Sequence, residues 1–302
     1  MSNLATKDSQ TSKASGASDQ PSALPPPHLD ASSCKEVTQQ SGSNFSIAFR
    51  FLPNKINDLE RIYAFSRIID DCVDEPELKQ DKINAIGFWK QELNYLYDGK
   101  PLHPIMQELN QTVKRYRIPK GYLFGLIKGC EMDIDKNRYE TLEELYSYCY
   151  HVAGLVGLSC LKVFEYNSLT SENMAMELGY AFQLTNIIRD VSGDLDLNRI
   201  YIPQELLRQY KYSESDLLNK KETPAFKNLM YYLSTLALKH YENAEKEFEK
   251  DSQNKLRAAR AMTLVYKRIL MKMIKQGFPV LHKKVSLNRF EKLFTLFRLW
   301  FR

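Results

Sequence analysis

Two groups of carboxylates are spaced so that each would fall on one face of a helix. The first lies in SRIIDDCVDE, Ser66 to Glu75. Asp70 and Asp74 stand four apart with Asp71 beside them, and Tyr63 and Arg67 extend the same side toward the N-terminus. The second lies in QLTNIIRDVSGDLDLNRIYIP, Gln183 to Pro203, where Asn186, Asp190 and Asp194 recur every four residues between Arg189 and Arg199. Carboxylates gathered on one helix face repel each other, and a hard divalent cation with oxygen ligands offsets that repulsion. Mg2+ suits the pattern because it keeps several waters and binds through a few carboxylates plus substrate phosphates. Two such stripes across a cavity could hold several Mg2+ ions against diphosphate groups, with nearby arginines neutralising the charge of the leaving group.

A lone acidic stripe is usually a solvated face, and the first cluster by itself would read that way. The second would not. Asp190 sits among Ala181, Phe182, Leu184, Ile187, Ile188 and Val191, and acids in such company are costly to bury unless they bind something. Taken together, the clusters predict a metal-diphosphate site.

The third feature is the uncharged run from Leu145 to Leu161, whose 17 residues include Ser147, His151 and three tyrosines. That composition predicts a buried helix and not a membrane span. Gly154 and Gly157 each cost a helix about 1 kcal/mol relative to alanine. With Ala153 and Ser159 they leave space, either for a long apolar ligand with Tyr148 and Tyr150 near its mouth or for close approach of another helix. His151 reads as a satisfied core residue.

The elements that must position these residues are helical, since no alternation is long enough for a sheet. Asn57 with Glu60 three residues on is a capping-box-like start for a helix running into Asp74, and Pro76 closes that region. Pro119 suits the first turn of a helix toward Asp135. Thr141 opens another, with Glu143 and Glu144 in its first turn, and Thr170 and Ser171 open one through Asp190. Long helical patterns run from Thr223 to Lys250 and from Gln253 to Gln276. No internal repeat is visible.

Residues 1–44 differ in kind. They hold ten serines, four prolines, no aromatic residue and no arginine. They are expected to be a disordered tail, and neither a secretory signal nor a transit peptide. Residues 45–302 are expected to form one all-α domain. In the 302-residue chain the five cysteines have no CxxC spacing, which argues against a disulfide framework or zinc site and for a reducing, cytoplasmic location. A formal charge of +5 is mild for a nucleic-acid binder, and none is expected as a partner.

The pieces SNFSIAFRFLP, YAFSRIIDDCVDE, EMDIDKNRYETLEELYSYCYHVAGLVGL and QLTNIIRDVSGD…NRIYIP occur in the order found in the squalene/phytoene synthase family, which the chain resembles from about Phe45 to Arg302. The resemblance implies an all-α isoprenoid synthase bundle around a central cavity and Mg2+-dependent, head-to-head condensation of two prenyl diphosphates. It implies that Asp70, Asp71, Asp74, Asn186, Asp190 and Asp194 bind the metal. Arg67, Arg189, Arg199 and Tyr201 would contact diphosphate, with Gln183 nearby and Asn44 where relatives often have serine. Tyr63, Tyr148, Ala153, Val156 and Gly157 would line the prenyl channel. Tyr148, Arg67 and Arg189 would act in catalysis, the arginines with Mg2+ drawing off diphosphate and either the departing diphosphate or Tyr148 helping to remove a proton as a cyclopropane closes. The C-terminal KQGFPVLHKKVSLNRFEKL most resembles bacterial presqualene diphosphate synthases of hopanoid pathways. Phytoene and dehydrosqualene synthases are the close alternatives, and a non-catalytic assembly factor of the same fold is the alternative of another class. No dinucleotide fingerprint appears, so NADPH is not expected.

From Arg257 to Arg302 there are twelve Lys or Arg and one acid, Glu291. Leu287, Phe290, Leu293, Phe294, Phe297, Trp300 and Phe301 recur there mostly at three- and four-residue spacing. Such a basic amphipathic helix either packs on the domain or makes peripheral contact with an anionic membrane face, the inner membrane for a bacterial protein.

Overall fold

Apolar residues recur at helical spacing along nearly every segment, and the chain coils accordingly. A computed structural model describes residues 33–41, 45–75 and 78–297, giving the backbone alone for residues 46 and 47. Fourteen α-helices are found among the described residues. The first eight are α1 (Cys34–Gln40), α2 (Phe45–Phe49), α3 (Ile56–Asp74), α4 (Lys79–Tyr97), α5 (Pro104–Tyr116), α6 (Lys120–Asp135), α7 (Leu142–Cys149) and α8 (Leu155–Phe164). Then follow α9 (Ser171–Asp196), α10 (Gln204–Gln209), α11 (Glu214–Leu218), α12 (Pro224–Phe248), α13 (Arg257–Lys275) and α14 (Arg289–Phe297). The only extended pairing among the described residues is one isolated bridge between Arg138 and Ile200.

Two caps sit where the sequence puts them. The Thr141 hydroxyl accepts the Glu144 N–H at 3.2 Å at the start of α7, and the Thr223 hydroxyl accepts the Phe226 N–H at 3.2 Å at the start of α12. The start of α3 differs. It runs on from a 3-10 turn at Pro53–Lys55, so Asn57 lies inside the helix and caps nothing. Helix α9 runs six residues past Asp190, which brings Asp194 onto the same helix as Asn186. Pro76 lies outside the described residues.

The last part of the segment expected to be disordered is ordered. Cys34, Val37 and Thr38 of α1 are buried against α3, and the Ser33 hydroxyl caps the helix by accepting the Glu36 N–H at 3.3 Å. The Cys34 N–H donates to the Glu108 carboxylate on α5 at 3.4 Å. Local composition misses this because the apolar surface that orders α1 belongs to distant helices. Residues 1–32 lie outside the described residues.

Helix α3 shows how the site is held. Leu59, Ile62, Phe65, Ile69 and Val73 are at most 1% exposed on one side, each contributing about 1.5–3 kcal/mol by burial. The opposite side carries Tyr63, Arg67, Asp70 and Asp74. Helix α9 packs on α12 along its length and meets α8 and α13 on other sides. Between α7 and α8 the helix widens into a π turn, Tyr150–Gly154, where the Leu155 N–H reaches back to the Tyr150 carbonyl. Here α9 comes very close. A Cβ on Gly179 would lie 2.7 Å from Gly154 Cα, and one on Gly157 would lie 2.8 Å from the Ala175 carbonyl oxygen. The small residues of this run therefore serve helix packing, and the ligand space lies beside them. No helix among the described residues is long and apolar enough to cross a membrane.

Candidate active site

A cavity of about 890 Å3 opens between α3, α6, α8, α9 and α13. Its deep part is apolar, lined by Phe49, Leu126, Val152, Val156, Leu161, Phe164, Met174 and Leu178. Ala153 and Gly157 lie on the same wall. Its other end is strongly polar. Asp70 and Asp74 reach it from α3, while Gln183, Asn186, Asp190 and Asp194 reach it from α9. Arg67, Arg189, Arg199, Tyr63, Tyr148 and Tyr201 complete it. The structure thus brings together every described residue expected at the site except Asp71 and Tyr150. Asp71 is absent from the lining and instead holds Arg67, accepting from its Nε at 3.1 Å. It faces sideways because a helix turns about 100° per residue, so Asp70 and Asp71 cannot share a direction. Asn44 lies outside the described residues. Tyr150, expected near the mouth, is 37% exposed and absent from the lining.

Cations stand on most of these carboxylates. Arg67 Nη1 donates to Asp70 at 3.3 Å. Arg199, buried between the stripes, pairs with Asp74 and donates to the Val73 carbonyl at 3.0 Å, tying the segment after α9 to the end of α3. Arg189 grips the neighbouring Asp190 through two nitrogens, and Lys284, from the segment before α14, approaches the same carboxylate at 3.1 Å. Burial would raise the Asp190 pKa, but Arg189 and Lys284 hold it below the ordinary carboxylate value. Among the described residues Asp194 has no such partner. Burial, then the charge of Asp190, pushes its pKa up to about 8. Burial and Asp74 raise Asp70 to about 7, and burial raises Asp71 to about 6.

These groups suit Mg2+. Asn186 Oδ1 is buried without a hydrogen-bond partner on the cavity wall, and an unpaired buried carbonyl oxygen costs about 1–3 kcal/mol unless something binds it. Asp70 and Asp194 resist ionisation because they are desolvated and stand beside other carboxylates, a repulsion that a bound cation would relieve. Among the described residues no three His, Cys, Asp or Glu side chains gather closely enough to cage a metal alone. Donors divided between two helices fit an ion completed by substrate oxygens better than a protein-only cage.

Lys283 and Lys284, basic residues of the C-terminal run that the sequence offers as partners for diphosphate, do carry positive charge to the polar end from far along the chain. One feature escaped the sequence reading. Asp133 of α6 is tucked behind the wall, where its Oδ2 accepts from the hydroxyls of Tyr148 and Tyr201, each at 2.9 Å. An acid among Leu126, Ile127 and Cys130 was the available signal.

Comparison with known proteins gives a consistent pattern. The sequence profile of the Squalene/phytoene synthase family matches residues 38–291. The chain is 32% identical over 276 residues to 15-cis-phytoene synthase of Synechococcus elongatus, covering 87% of this chain and 90% of that one. A dehydrosqualene synthase solved with a ligand superposes with a TM-score of 0.82 at 26% identity, over 88% of this chain and 94% of its own. Squalene synthase HpnC of Alicyclobacillus acidocaldarius does so with a TM-score of 0.74 at 25% identity, over 81% and 93%.

Proposed function

The chain belongs to the squalene/phytoene synthase family, and from that premise we propose that it joins two farnesyl diphosphates head to head and releases presqualene diphosphate. The observation that carries this reading is the cavity itself, with carboxylates and arginines from α3 and α9 at one end and apolar walls at the other. Such a chamber binds diphosphate heads at the polar end and excludes water from the prenyl chains.

Asp70, Asp74, Asn186, Asp190 and Asp194 would hold Mg2+, with Asp71 acting by orienting Arg67. When bound, Mg2+ supplies positive charge to the diphosphate oxygens. Arg67, Arg189 and Arg199 take up the charge that grows on the departing diphosphate. The apolar walls hold the two chains in register, which lowers the entropic cost of joining them. Tyr148, at the junction of the polar and apolar parts, receives the proton lost as the cyclopropane closes. A product that keeps one diphosphate needs cations to hold it, and Lys283 and Lys284 supply them in the segment that resembles presqualene diphosphate synthases. No hydride enters this reaction, so it requires no NADPH.

Product analysis of the purified protein tests the reading. With farnesyl diphosphate and Mg2+, presqualene diphosphate should form with one diphosphate released per condensation. Dehydrosqualene, or phytoene formed from geranylgeranyl diphosphate alone, would assign the chain to the alternative reactions. No coupled product from either substrate would leave the assembly-factor alternative.

The same reading gives α14 a role at an anionic bilayer. Phe290, Leu293 and Phe294 are 83%, 70% and 60% exposed, while Thr295 and Leu296 pack inward. The apolar stripe therefore does not pack wholly on the domain. Lys292 of α14 lines the cavity together with Lys283 and Lys284, so the exposed face adjoins the exit of a lipophilic product. Trp300 and Phe301 lie outside the described residues. Anionic vesicles should pellet the protein at low salt and release it at high salt, and Phe290→Ser with Phe294→Ser should abolish pelleting. Equal pelleting on neutral vesicles, or self-association removed by the same substitutions, would contradict a bilayer partner.

A further inference from the structure

Tyr148 and Tyr201 stack with ring centroids 5.0 Å apart, and Tyr139 stacks on Tyr201 at 5.7 Å. Both Tyr148 and Tyr201 face the cavity, while Asp133 stands behind them and does not line it. Its Oδ2 accepts both hydroxyls, and the two phenol oxygens lie 3.2 Å apart. Its Oδ1 is buried with no partner among the described residues. A carboxylate whose only sole purpose was to tie two tyrosines together would be cheaper with both oxygens satisfied. One bare oxygen in a weakly polar surrounding makes the carboxylate a better base. Burial accordingly raises its pKa to about 6, against the opposing effects of Arg199 and the two tyrosine hydrogen bonds. Asp74 of α3 adds negative charge, and Asp70, Asp194 and Lys82 are the other charged groups that feel it.

We propose that Asp133 is a positioning residue that orients Tyr148 and takes over its proton when Tyr148 accepts one from the coupled prenyl cation. This rests on the head-to-head reading above. The balance is simple. A C–H bond breaks on the carbon two bonds away from the cationic carbon, the one that has just been joined, and its electron pair forms the new bond to the cationic carbon that closes the cyclopropane. The proton bonds to the Tyr148 oxygen, and the proton already on that oxygen passes along the 2.9 Å hydrogen bond to Asp133 Oδ2. Tyr148 is neutral before and after, and the carboxylate becomes a carboxylic acid until product leaves. A phenol alone would have to become a phenol cation, which the carboxylate avoids. The same negative group behind the ring stack makes the wall favourable to a passing carbocation.

The test is the product split of Asp133→Asn, which keeps the side chain's shape and removes its basicity. With farnesyl diphosphate, KM should stay within about threefold and diphosphate should still be released. The cyclopropyl product should fall about 100-fold, the scale of a lost proton acceptor, with prenyl alcohols from water capture in its place. Tyr148→Phe should shift the products the same way, and it carries the test if the asparagine variant melts early. Wild-type yield of cyclopropyl product in Asp133→Asn would overturn the proposal, as would diphosphate release and coupling falling in step. No coupled product from the wild-type protein would instead overturn the reading on which it rests, and this proposal with it.

Discussion

The carboxylate stripes of α3 and α9 look alike in sequence and differ in how their charge is balanced. On α3, Arg67 lies one turn before Asp70 and Asp71 and reaches both, while Arg199 covers Asp74. On α9, Arg189 and Lys284 spend their charge on Asp190, which leaves Asp194 with a pKa near 8 and Asn186 Oδ1 without a partner. Each α3 carboxylate has a cation against it, whereas Asp194 on α9 has no ion pair among the described residues. Where charge balance is incomplete, a ligand can complete it, so under the proposed function α9 would be the side that depends most on bound Mg2+ and diphosphate.

Substitutions should separate the two stripes. Asp70→Asn and Asp190→Asn should each lower turnover by about 10^3-fold, the scale of losing an electrostatic contact to the transition state, with helicity by circular dichroism unchanged. Stability should not follow activity. Asp194→Asn should raise the melting temperature of the metal-free protein while abolishing turnover, because it removes a half-buried acid that no cation pairs with among the described residues. Asp190→Asn should lower it, since Arg189 and Lys284 lose their partner. Equal shifts in the two variants would erase the difference between the positions.

Acidity offers the next contrast. Asp70 and Asp194 keep their protons in the folded protein up to about pH 7 and 8, whereas in the unfolded chain aspartate releases its proton near pH 4. Over that interval unfolding releases protons, so stability is greatest at the acid end and falls as pH rises through the folded values. The metal-free protein should melt at progressively lower temperature from pH 6 to 8. Mg2+ with diphosphate should flatten that decline, and scanning calorimetry at three pH values checks it.

Smaller effects are expected away from the charges. Gly179→Ala would press a methyl group onto the Gly154 backbone and should cost about 1–3 kcal/mol, measured by urea unfolding. Removing residues 1–41, and with them α1, exposes surface on α3 and should lower the melting temperature by several degrees, the scale of one or two buried side chains. An unchanged melting temperature would mean that α1 adds no stability.

Much of this was legible in the chain. Asn186, Asp190 and Asp194 could be placed on one face because a four-residue interval holds its direction along a helix. Thr141, with Glu143 and Glu144 in the first turn after it, announced the start of α7, and the helical pattern beginning at Thr223 announced α12. What could not be read depends on distant partners. The order of α1 comes from α3 and α5, the service of Gly157 from the Ala175 carbonyl of another helix, and the role of Asp133 from two tyrosines that lie 15 and 68 residues away along the chain. Asp71 shows a further limit, since an acidic triplet does not say which of its members faces the cavity.

The most direct test of the paired stripes is a crystal structure with Mn2+ in place of Mg2+ and a non-cleavable farnesyl thiodiphosphate, with the metal located by its anomalous signal. Metal peaks should appear between the diphosphate and both helices, touching Asp70 or Asp74 on one side and Asn186, Asp190 or Asp194 on the other. Diphosphate bound by the arginines alone, with no metal at either stripe, would contradict it.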